Sequence, residues 1–175
     1  MACNLTAGIT KGCRDNAGGI VEAYIGNFEN MTFTEGSDGL ITAITTGSAA
    51  ATDGYYTFVP NKNSSTWGET IQGSLENGTI GYEQAATLVF QKNEAALRNQ
   101  VKLLGQANLS IIVKDKNEKY WLIGKQNGAE LLSGGSSAGT NLTDLNGWTL
   151  NFSATEPQPG FEVSGSIITD IQVTV

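Results

Sequence analysis

Glu69, Glu76 and Glu83 are carboxylates of the kind that glycoside hydrolysis uses in pairs, one as acid and one as base or nucleophile across a cleft. They lie on a stretch that reads as strand, Asn77-Gly78 turn and strand. Nothing in the sequence sets one against another across a cleft, so they read as solvated strand positions. The 175-residue chain contains no His, which removes the commonest general base, the Ser-His and Cys-His nucleophile pairs and the usual zinc ligands. Cys3 and Cys13 are too few for a structural zinc site and read as free thiols. Asp115-Lys116-Asn117-Glu118 has the oxygen-rich start of a calcium loop, but Lys119 follows where more oxygen ligands and a Gly are needed, so a hairpin turn is the better reading. Gly18-Gly19 and Gly134-Gly135 lie outside a strand-glycine-helix context and make no phosphate cradle. Tyr55, Tyr56, Phe58 and Trp67 suit either a sugar-binding groove or a core. No enzyme, cofactor or metal centre is expected.

The elements that carry these residues are short and mostly extended. Strands are predicted at 20–25, 31–34 and 40–45 as a meander, then at 55–59 and 67–75. Asn77-Gly78 predicts a tight type I′ turn, because both residues tolerate positive φ. Ile80, Tyr82, Gln84, Ala86, Leu88 and Phe90 then alternate along one long strand. A helix is expected over about 93–106, with Asn93 as N-cap, Leu97, Val101 and Leu104 as its buried stripe, and Arg98, Lys102 and Gln106 facing out. Further strands are predicted at 109–113, 120–123, 129–132, 148–154, 161–164 and 167–175. The fold class is therefore mainly β and antiparallel, with one helix. Residues 1–19 read as an N-terminal arm and 20–175 as a single domain with long loops at about 45–66 and 133–146.

Charge separates one segment from the rest. Residues 92–125 hold seven of the ten cations against three acids, a net of +4, in a chain whose formal charge is −7. The flanks are acidic: 1–91 sum to −6 and 126–175 to −5. A solvated helix and hairpin that happen to carry lysines would give this pattern; so would a positive face that docks on a negative face of a second copy. Under the second reading Arg98, Lys102, Lys114, Lys116 and Lys119 form a subunit interface, and head-to-tail contacts of this kind build rings or filaments. A pI near 4.5 argues against affinity for nucleic-acid phosphates or anionic lipid. With no apolar run long enough to span a bilayer and no signal-peptide pattern after Met1, no membrane association is expected and a cytoplasmic site of synthesis is.

From Tyr82 the run YEQAATLVFQKNEAALRNQVKLLGQANLSIIVKDKNEKYWLIGKQNGAELLSGGSSAGTNLTDLNGWTLNFSATEPQP, which opens in the order strand, helix, hairpin, resembles the tail tube proteins of tailed bacteriophages. The resemblance covers about half of the chain, in element order, and extends to its size, acidity and long loops. It implies a β-sandwich or barrel with one packed helix, and a virion structural subunit assembled in the host cytoplasm. Six copies would form a ring, and rings would stack into the conduit through which DNA leaves the particle. Implied partners are further copies of the chain and other tail proteins, with DNA passing through without specific binding. Capsid decoration and head-tail joining proteins share much of this pattern, and a monomeric carbohydrate-binding β-sandwich module is the alternative from another class.

Overall fold

A computed structural model describes residues 7–36, 38–47 and 53–173. In chain order the elements are β1 (Ile20–Asn27), β2 (Thr32–Glu35), β3 (Ile41–Thr45), β4 (Tyr56–Phe58), β5 (Thr66–Ser74), β6 (Thr79–Gln91), α1 (Ala95–Leu104), β7 (Leu109–Asp115), β8 (Tyr120–Ile123), β9 (Glu130–Ser137), β10 (Gly147–Glu156), β11 (Phe161–Val163) and α2 (Ile168–Ile171). The protein is mainly β, as its sequence predicts. The strands form a seven-stranded sheet, ordered β2-β3-β11-β8-β7-β1-β4, and a four-stranded sheet, ordered β5-β6-β10-β9.

The sheets pack face to face because their alternating apolar positions meet. Ala86, Leu88 and Phe90 of β6 and Leu150, Phe152 and Ala154 of β10 point at Ala23, Ile111, Val113 and Ile123 of the larger sheet. The stripe of α1 closes this core as predicted: Leu104 is buried and Leu97 and Val101 pack against the cluster. A second core lies on the other face of the larger sheet, where Ile168 and Ile171 of α2 join Tyr24, Tyr55, Ile112 and Leu122. Adjacent residues Ile111, Ile112 and Val113 are therefore all buried, as expected for a strand covered on both sides.

Several predicted elements are corrected. The first three strands are not a meander: β2 pairs with β3, but β1 lies between β7 and β4. The cause is burial, since Ala23, Tyr24 and Ile25 are buried in succession and need cover on both faces. Asn93 does not cap α1; Glu94 holds that position, and Asn93 Nδ2 instead donates to Ser137 O at 2.9 Å and Asn146 Oδ1 at 2.8 Å. The expected strand at 167–175 begins with the helical turn α2, because Ile168 and Ile171, three apart, share one buried side. The loop expected at 133–146 loses its first five residues to β9, and the one at 45–66 contains β4, with 48–52 outside the described residues. The β5–β6 connection is a four-residue turn rather than type I′: Ser74 pairs with Thr79, and of Asn77 and Gly78 only Gly78 has positive φ.

Candidate assembly surfaces

The five cations predicted to form one interface fall into two groups. Lys114, Lys116 and Lys119 lie on β7 and the β7–β8 turn, where each has a partner in its own chain. Lys114 Nζ is 4.0 Å from Glu22 Oε2 and 5.5 Å from the centre of the Tyr120 ring. Lys116 donates to Asn63 Oδ1 at 2.7 Å, and Lys119 to Glu162 Oε1 at 2.5 Å. Burial pulls the Lys114 ammonium down, but Tyr120 and Glu22 outweigh it and leave it above the ordinary lysine value. The Glu162 carboxylate raises Lys119 likewise. Lys125, one residue beyond Gly124, pairs with Glu35 and lies over the Phe161 ring.

Arg98 and Lys102 are exposed on α1. The last turn of α1 lies beside Leu109, at the start of β7. Lys114 is five residues further on, about 17 Å along an extended strand. The structure thus brings Lys114, Lys116 and Lys119 together and leaves Arg98 and Lys102 as a separate pair.

The β7–β8 turn is built by Asp115, whose Oδ1 accepts the amides of Asn117 at 2.8 Å and Lys119 at 2.9 Å, so this carboxylate organises a hairpin. Asn117 in turn holds the end of the N-terminal arm, accepting the Ala17 amide at 2.8 Å and donating to Ala17 O at 2.9 Å. Of the two cysteines, Cys13 is exposed and Cys3 lies outside the described residues.

The four-stranded sheet has a different chemistry. β5, β6, β9 and β10 contain no Lys or Arg. Their outward positions, opposite in parity to the core residues, are Thr, Ser, Gly, Asn, Gln and Ala with Glu83, Glu130 and a buried Val89, and the β9 bulge between Leu131 and Ser133 adds Leu132, 71% exposed. Among the described residues both outer strands are open on one side: β5 pairs only with β6, and β9 only with β10. Neither carries the Lys or Pro that commonly blunts a sheet edge.

Glu69, Glu76 and Glu83 do not converge. Glu69 lies opposite Gln84 on the core-facing side, accepting the Gly160 amide at 2.6 Å and Gln84 Nε2 at 3.1 Å. Glu83 points outward beside Gln72, and Glu76 is on the turn. The four aromatics do not share one surface: Tyr55 is buried, with its hydroxyl 2.7 Å from Ser110 Oγ, Trp67 packs tilted against Trp121 at 5.3 Å, and Tyr56 and Phe58 line a cavity of about 640 Å³ with Leu103 and Leu104 of α1.

Beyond Tyr82 the sheet narrows. The β6–β10 ladder ends at the Tyr82–Glu156 pair, whereas β5 and β6 continue from Ile71–Tyr82 to Ser74–Thr79 as a two-stranded ribbon. The narrowing point is secured by Glu156, which is buried and accepts the amides of Gln126 at 3.1 Å and Asn127 at 2.9 Å. The sequence reading missed Glu156, although extending the Leu150-Phe152-Ala154 alternation by two residues reaches it. Comparison with protein-family models, curated proteins and solved structures gave no match.

Proposed function

We propose that this protein is a self-assembling virion structural subunit whose copies form stacked rings, the tail tube of a bacteriophage, through which DNA passes. The observation that carries this reading is the cation-free outward face of a sheet open at both edges. DNA binds proteins chiefly by exchanging condensed counterions for Lys and Arg. A wall whose polar groups are hydroxyls, amides and two carboxylates offers it nothing to exchange, so a duplex slides past without sticking.

The open edges supply a means of assembly. The four strands alternate in direction, so β5 and β9 run oppositely, and β5 of one copy beside β9 of the next continues the antiparallel pattern. Such a contact is head-to-tail and closes into a ring when the rotation between copies allows. The burial of Tyr55 and the packing of Trp67 against Trp121, which keep these two aromatics apart from Tyr56 and Phe58, count against a monomeric carbohydrate-binding module. Electron microscopy of the purified protein over rising concentration tests the proposal. Hollow rings or tubes, sparser at high salt, are expected; a monomer at every concentration overturns it.

A further inference from the structure

Ile71, Leu75 and Ile80 are 65%, 102% and 60% exposed, and all three lie on the β5–β6 ribbon or its turn. Ile71 and Ile80 share parity with Trp67, Ala86 and Leu88, so the ribbon carries the core-facing side of the sheet past the end of its own core. A two-stranded ribbon alone is marginally stable in water. Among the described residues none covers its apolar side.

The other end of the same sheet is bordered by α1. Asn93, just before the helix, bonds Ser137 O at one end of β9, and a methyl group placed on Gly105, just after it, would sit 3.8 Å from Leu131 Cδ2 near the other. The helix therefore runs alongside β9. At about 100° per residue, Arg98, Lys102 and Gly105 share the flank toward β9, while Leu97, Val101 and Leu104 face the core. That flank carries two cations, and α1 contains no acid. Residues 66–83, ribbon included, carry Glu69, Glu76 and Glu83 and no cation.

We infer that the β5–β6 ribbon of one copy is covered by α1 of a second copy. β5 adds to the open edge of β9, shifted several residues toward Ser137 so that Ile71 and Ile80 lie against the helix flank instead of past Glu130, and Arg98 and Lys102 meet the acidic ribbon with Glu76 foremost. This rests on the tube reading and names its contact. It also gives the contact a polarity: ribbon on ribbon would oppose Glu76 to Glu76, and helix flank on helix flank would oppose Arg98 and Lys102 to themselves, whereas ribbon on flank sets opposite charges together.

The test is a mixing experiment with two variants, R98E/K102E and I71K/E76K, in the full chain. Each alone places like charges across the contact and is expected to raise the concentration needed for assembly at least about 100-fold. Mixed one to one, acidic helices face basic ribbons and basic helices face acidic ribbons, so assembly is expected to return. Circular dichroism checks that both are folded; if I71K/E76K is not, E76K replaces it in the same mixture. Either variant assembling like the parent, or a mixture of folded variants that stays dispersed, overturns the contact. If the parent assembles while these results fail, the contact alone is wrong; if the parent never assembles, the tube reading falls and the contact with it.

Discussion

β6 is one strand in two environments. From Gln91 back to Tyr82 it pairs with β10, from Thr87 onward with β5 as well, and its inward side chains Gln84, Ala86, Leu88 and Phe90 are at most 7% exposed. From Gly81 to Thr79 the alternation continues, but β10 has ended and Ile80 is 60% exposed. The difference lies in what is across from each half, since the pattern does not change. Alternation encodes which face is apolar; whether that face is covered by the same molecule or by another is decided elsewhere.

The contrast breaks most clearly through paired substitutions. Leu88→Ala in the covered half should cost about 3 kcal/mol of stability, read from denaturant midpoints, because it empties a fully buried site. At the narrowing point, Glu156→Ala should cost about 2 kcal/mol by leaving the Gln126 and Asn127 amides without their acceptor. Ile71→Ala in the uncovered half should change monomer stability by less than about 0.5 kcal/mol, yet weaken assembly about tenfold or more, measured by sedimentation. An Ile71→Ala variant destabilised like Leu88→Ala would show that the ribbon is covered within its own chain.

Smaller effects sharpen the same distinction for charge. Lys119→Ala removes an exposed pair with Glu162 and should leave both the denaturant midpoint and assembly unchanged within error. Asp144, outside the strands, supplies a pH test. Backbone amides of Asn141 and Thr140 hold its carboxyl below the usual range. The order it gives the 139–146 loop is therefore present above the ordinary carboxylate range and lost as pH falls through the lowered folded value. Faster amide exchange at Thr140 and Asn141 under acid conditions checks this.

Much of the fold was legible where periodicity was strong. The run from Ile80 to Phe90 predicted one long strand because six alternate residues agreed, and the α1 stripe followed from spacing alone. The place of β1 was not legible, since its partners β7 and β4 are distant in sequence and only burial on both faces selects them. β9 was hidden by composition: Ser133-Gly134-Gly135 reads as a loop, but β10 supplies a ladder. Gly134 suits that ladder because an added methyl would lie 2.7 Å from Thr149 O. The charge sum marked 92–125 as the basic segment but could not distinguish Lys119, paired with Glu162, from Arg98, exposed on its helix.

Hydrogen exchange of the wild-type protein, compared below and above its assembly concentration, tests the assembly contact most directly. New protection confined to 66–80, to Glu130–Ser137 and to α1 is predicted. Protection arising elsewhere while these three segments exchange unchanged would contradict it.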